Sequence, residues 1–158
     1  MAADRVLWKE RLGAFIERGV AIIVATCDDG GHPGLTRAWG PAFGDDDEIV
    51  LAATAAPGTR AAADLVAGAE ISVTVSEMTT YSTVQLLGTV AEVMPIDDDA
   101  RRRVDAHLER FVADAAKVGV TRDASNLFLG DLILVRLTVH RASEQTPGAR
   151  AGRPLEGR

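Results

Sequence analysis

The chain has a single cysteine, Cys27, so no disulfide can close within it and no metal site can rest on several thiolates. The place of Cys27 in the apolar stretch VAIIVATC predicts a small core residue. No uninterrupted apolar run approaches the roughly 20 residues that a membrane-spanning helix needs. The opening MAADRVLWKE is broken early by charges and lacks the shape of a secretory leader, so the expected location is the cytoplasm. Positive charge is not in excess either. A formal net charge of -6 and a pI near 5.0 argue against nucleic acid or an anionic membrane as the main partner, while a local basic pocket could still hold a small anion.

The familiar catalytic signatures are missing too. His32, His107 and His140 fall in a turn, a helix and a last strand, with no H-x-x-H or H-E-x-x-H spacing, so no metal site is expected. Ser72, Ser76, Ser82, Ser125 and Ser143 lie in no G-x-S-x-G elbow, and there is neither a Walker loop nor a G-x-G-x-x-G run. The acid triplets at 45–47 and 97–99 read as a hairpin turn and a helix N-terminus. No side chain presents itself as a catalytic acid, base or nucleophile. Difficult chemistry would therefore have to come from a bound cofactor.

What is present is enough for one core: 158 residues, 47% hydrophobic, with no internal repeat and no sign of a second domain. Trp8, Leu12, Phe15 and Ile16 recur at helical spacing over residues 4–18, and Gly19 stops the run. VAIIVATC and LTRAWGPAF flank the turn-rich DDGGHPG and read as a hairpin, and IVLAAT makes a third strand. A helix at about 58–67 is followed by the strands EISVTVSE and STVQLLGTVAEV. Asp97 then caps a long helix with Ala100, Val104, Leu108, Phe111 and Ala115 on one face, and DLILVRLTVHRA supplies a sixth strand. Six strands joined mostly by short turns predict a small antiparallel barrel rather than a doubly wound sheet. The last residues, SEQTPGARAGRPLEGR, form a tail without periodicity.

One turn concentrates polar chemistry. TAAPGTRAAADL, residues 54–65, places Thr54, Gly58, Thr59 and Arg60 between a strand and a helix. Two readings stand side by side: Thr59 caps the helix and Arg60 is solvated, or hydroxyls, backbone N–H groups and a guanidinium together receive a phosphate. In LTRAWG the period of two sets Leu35, Arg37 and Trp39 on one strand face, a guanidinium beside apolar groups, which adds weight to the anion.

The order of helix, GVAIIVATCDDGGHPGLTRAWG, third strand, TAAPGTRAAADL, ISVTV and STVQLLGTV resembles the pyridoxamine 5'-phosphate oxidase-like, FMN-binding split-barrel family over roughly residues 10–142. The resemblance implies a mainly β fold, a six-stranded antiparallel split barrel of Greek-key type with flanking α-helices. It further implies a domain over residues 1–142 that binds FMN, a C-terminal tail over 143–158, and a homodimer with two flavins in clefts at the interface. Thr54, Gly58, Thr59 and Arg60 match the family's phosphate turn, whose lysine is Ala61 here. Arg37, with Ala38 and Trp39 after it, matches the second-strand arginine that reaches the flavin. Thr83 or Gln85, which share a face of the fifth strand, would face the isoalloxazine. The implied activity is flavin-dependent oxidation or reduction of a small molecule. A deazaflavin reductase, a non-catalytic flavin carrier or sensor, and a haem-handling protein using one of the histidines are the alternatives. No Trp follows Trp39, whereas the pyridoxamine phosphate oxidases end in a substrate segment with a Trp and an Arg, so pyridoxal phosphate synthesis is not expected.

Overall fold

Alternation of buried and outward residues, regular over residues 21–27 and 70–76, gives the sheet one apolar face that closes around a core. In the computed structural model, which describes residues 2–121 and 130–155, with side chains from residue 7, three helices surround six strands. These are α1 (Ala2–Gly13), β1 (Ala21–Cys27), β2 (Pro33–Phe43), β3 (Glu48–Thr54), α2 (Arg60–Asp64), β4 (Glu70–Ser76), β5 (Thr83–Pro95), α3 (Asp98–Lys117) and β6 (Leu132–Glu144). Every strand pairing is antiparallel, and the order β1-β2-β3-β6-β5-β4 closes on itself. Closure leaves no edge strand to recruit another chain.

The interior is filled by the inward set: Ile22 and Val24, Ile49 and Leu51, Ile71, Val73 and Val75, Val84 and Leu86, Val135 and Leu137. Trp8, Leu12, Phe15 and Ile16 of the first helical segment belong to this core. α1 itself ends at Gly13, because Phe15 and Ile16 are consecutive and both buried, and residues 14–18 tighten into turns such as Phe15 N–H to Leu12 O. A second core lies outside the barrel, where Ala100, Val104 and Phe111 of α3 cover Trp39, Ala52 and Leu134. Asp97 caps α3 by accepting from Ala100 N–H at 2.7 Å.

Cys27 departs from the expectation of a core residue: it is exposed at the end of β1, because the period of two that buries Ile22, Val24 and Thr26 turns residue 27 outward. The tail also has more order than its composition suggests. β6 runs on to Glu144, Gly152 N–H donates to Glu144 O at 2.7 Å, Glu144 N–H to Arg153 O at 2.9 Å, and Leu155 N–H to Ala142 O at 2.9 Å. No helix among the described residues is long and apolar enough to cross a membrane.

Candidate functional site

The strand register decides which of the candidate residues share a surface. Arg37 of β2 stands opposite Ile23 of β1, Ile23 opposite Thr74 of β4, Thr74 opposite Gln85 of β5, and Gln85 opposite Ser143 of β6. All five belong to the outward set of their strands, so they form one row across the barrel's outer wall. A neighbouring row runs Leu35, Ala25, Ser72, Leu87, Arg141. The Arg37 side chain is exposed and makes no hydrogen bond or ion pair among the described residues. The hydroxyl of Thr83 donates to Tyr81 O at 2.9 Å and meets Ser76 Oγ at 3.0 Å, whereas Gln85 is held only by Gln145 Nε2 at 3.3 Å. Of the two, Gln85 is the freer to meet a ligand.

The phosphate-turn candidates gather at one end of the same wall. Gly58 has φ +81, a conformation that favours glycine, and delivers the chain into α2. Thr59 is the N-cap of α2: its Oγ1 accepts from Ala62 N–H at 3.3 Å and donates to Ala56 O at 2.6 Å. Thr54 closes β3, its carbonyl accepting from Thr36 Oγ1 at 2.6 Å. Arg60 lies back across the β1–β2 hairpin. A Cβ on Gly34 would come within 2.8 Å of Arg60 Cδ and 2.6 Å of Thr26 Oγ1, so only a bare residue at position 34 lets the arginine lie there. Thr26 donates to Asp64 Oδ2 at 2.7 Å and so ties α2 to β1. Three residues of strand, about 10 Å, separate Gly34 from Arg37.

Arg60 has a partner that the motif does not announce. Its Nη1 lies 2.6 Å from Asp28 Oδ2. The backbone N–H of His32, then the Arg60 guanidinium, hold the Asp28 carboxyl down at about 2, and Asp28 in turn raises the pKa of Arg60. The guanidinium is thus held against the hairpin by a carboxylate, and any anion that takes Arg60 has to compete with Asp28 for it. The sequence signal was slight, one more acid in a turn already rich in Asp and Gly.

Neither Ala38 nor Trp39 offers a free side chain to this wall: Ala38 lies in the barrel core and Trp39 lies on the outer face beneath α3. Ala38 is 1% exposed and points into the barrel, and the Trp39 ring packs against Phe111 and His107 at centroid distances of 5.4 and 5.7 Å. His107 uses both ring nitrogens internally, and His32 and His140 stand apart on the hairpin turn and on β6. Among the described residues no group of three His, Cys, Asp or Glu side chains could hold a metal ion.

A mainly β closed barrel with this row and this turn is the split-barrel class, and the comparisons agree. The chain belongs to the pyridoxamine 5'-phosphate oxidase family, whose sequence model matches residues 8–145. Among solved structures it is similar to an F420 reductase, at 14% identity and TM-score 0.53 over 82% of this chain and 94% of that one. It is similar also to a hypothetical protein of Mycobacterium tuberculosis, at 22% identity and TM-score 0.50 over 90% and 86% of the two chains. HupZ of Group A Streptococcus matches at 14% identity and TM-score 0.50 over 91% and 95%. None of the curated proteins matches the chain.

Proposed function

We propose that this protein is a flavin-dependent oxidoreductase of a small molecule, with FMN on the outward wall of β2, β1, β4 and β5 and the site completed by a second copy in a homodimer. The observation that supports it most directly is the row from Arg37 through Ile23 and Thr74 to Gln85, beside the turn that carries Thr59 and Arg60. The donor set suits a flavin monophosphate. Arg60 supplies a charge-assisted donor for the phosphate, the hydroxyls of Thr54 and Thr59 would add neutral ones, that of Thr59 by turning from its bond to Ala56 O, and Arg37 supplies a positive charge for the flavin's polar edge. A five-residue α2 carries little macrodipole, so the affinity rests on these side chains.

Bound FMN would supply hydride acceptance and donation. The chain's residues orient and shield it: Gln85 or Thr83 hydrogen-bonds the ring edge, and Ile23 and Leu35 exclude water from the face they share with Arg37. Pyridoxal phosphate synthesis is not proposed, since no Trp follows Trp39 in the sequence. A non-catalytic flavin carrier is the second reading, because the row holds no group suited to general acid or base work.

The deciding experiment is an absorbance spectrum of the purified protein, with titration of the apo-protein by FMN, by deazaflavin and by haemin. Flavin bands and saturable FMN binding are expected. Deazaflavin binding without FMN binding moves the protein to the deazaflavin reductases, and a Soret band without either overturns the flavin reading. Turnover with NAD(P)H and an acceptor then separates the enzyme from the carrier.

A further inference from the structure

We infer that the concavity at the β4–β5–β6 side of the outward wall is a carboxylate-binding subsite in which Arg141 supplies the charge and Gln85 and Gln145 supply amides. Its role as the place where an acidic substrate is held rests on the proposed cofactor site, with which it shares Gln85. Its binding chemistry does not.

The concavity measures 180 Å³ and is lined by Ser72, Gln85, Leu87, Arg141, Ser143 and Gln145, with Gly152 of the folded-back tail. One charge is present, and it is positive. Among the described residues Arg11, Arg18, Arg60, Arg102, Arg103 and Arg136 each meet a carboxylate, in a chain with 23 acidic residues against 17 Lys and Arg. The Arg141 side chain makes no hydrogen bond or ion pair among the described residues; Arg37, Arg101, Arg110, Arg150 and Arg153 also meet no carboxylate, and what sets Arg141 apart is its place in the lining of this concavity. Glu144, three residues on, cannot neutralise it, because Glu144 is buried and held by Arg11 Nε at 3.0 Å. An exposed guanidinium left without a carboxylate inside a concave, otherwise neutral lining is poised for an anion from outside.

The lining is built rather than incidental. Its tail wall is fixed by the backbone bonds between Gly152 and Glu144 and between Glu144 and Arg153, and Gly152 has φ +81, which favours glycine at that corner. Gln145 Nε2 reaches Gln85 Oε1 at 3.3 Å and Ser143 Oγ at 3.4 Å, long bonds that ligand oxygens can replace. A planar carboxylate matches the guanidinium fork with two parallel bonds. A phosphate dianion would bring a second charge with no cation to meet it. At about 30 Å³ per water-sized volume, the cavity admits a carboxylate with a short body, which Leu87 would cover. The substrate class is therefore a small carboxylic acid, or the acidic end of a larger one.

The test is a chemical-shift titration of the full chain at low ionic strength with benzoate, with its neutral analogue benzamide and with inorganic phosphate. Benzoate is expected to shift the amides of residues 141–145 and 150–153 with saturation, and benzamide is expected not to. Arg141→Gln should weaken benzoate at least about tenfold, Gln145→Ala severalfold, and Arg101→Gln, a charge change on the exposed face of α3, not at all. Equal benzoate binding by Arg141→Gln overturns the inference, as does benzamide matching benzoate, phosphate binding tighter than benzoate, or the absence of shifts at these amides. FMN titration of the same samples separates the two proposals: benzoate binding that survives a failure of FMN binding sinks only the cofactor site, and the converse sinks only the carboxylate subsite.

Discussion

His107 shows how much one side chain can carry without taking part in chemistry. It is fully buried, its Nδ1 accepts from Gly40 N–H at 2.9 Å, and its other nitrogen therefore bears the proton and donates to Val20 O at 2.8 Å. Burial pushes its pKa down to about 4 from 6.5. The unfolded chain binds this proton before the folded one does, so the stability is fully present above pH 6.5 and is lost as the pH falls toward 4, by about 3 kcal/mol in total. Denaturant titrations at pH 7.5, 6 and 5 should show this fall in the parent protein and a flatter profile in His107→Leu. The variant should also lose about 2–4 kcal/mol at pH 7.5, since it strands two buried backbone groups. Identical pH profiles would remove the histidine from the explanation. At the proposed phosphate turn, Arg60→Ala should weaken FMN at least about tenfold. Asp28→Asn, which keeps an oxygen for the hairpin N–H groups but removes the competing charge, should tighten it. If Asp28→Asn weakens FMN instead, Asp28 supports the site rather than guarding it.

At the scale of elements, the seat of α3 depends on Gly19. A Cβ there would lie 2.2 Å from Arg110 O and 2.4 Å from Arg110 C, both backbone atoms of α3 that no rotamer change can move. Gly19→Ala should therefore destabilise by about 2 kcal/mol or more, read as a shift in urea midpoint. Gly13→Ala, whose Cβ would meet only the Phe43 ring at 3.9 Å, should be neutral or mildly stabilising. A Gly19→Ala protein with the parent's midpoint would mean that α3 can lift away freely. The elements themselves were largely readable, because period-two and helical patterns and the caps Thr59 and Asp97 are local signals. Less readable were features that depend on what lies across the fold. Nothing near Cys27 says that the last residue of an apolar strand faces out, and nothing near His107 names Gly40 or Val20 as its partners. The tail read as shapeless because its order comes from pairing with β6 rather than from its own pattern. For the candidate site, alternation and turn chemistry singled out Arg37 and the turn at 54–60, and the family resemblance added Thr83 and Gln85. Asp28, Gly34 and Arg141 were not singled out, since their meaning comes from strand register.

For the whole molecule, the unfinished surface is the wall between Arg37 and Arg141. α3 covers the barrel where Trp39 emerges, but four positions earlier on the same face Leu35 is 74% exposed, and Leu87 in the same cross-strand row as Leu35 is 41% exposed. Between them lie only Ala25 and Ser72, small residues that allow a second surface to approach closely. A two-fold pairing through this wall would bury these leucines and enclose the flavin proposed to lie on it. Association and cofactor binding would then be linked, each strengthening the other. Sedimentation across a dilution series should accordingly show FMN-loaded protein remaining dimeric at concentrations where the apo-protein dissociates. Leu35→Asp tests the surface itself. The side chain lies outside the core, so the monomer should keep its fold and its far-UV spectrum, while buried charge at the interface should shift the dimer to monomer and weaken FMN together. A Leu35→Asp protein that stays dimeric would place the interface elsewhere on the barrel, and one that becomes monomeric yet binds FMN at parental affinity would show that a single wall suffices for the cofactor.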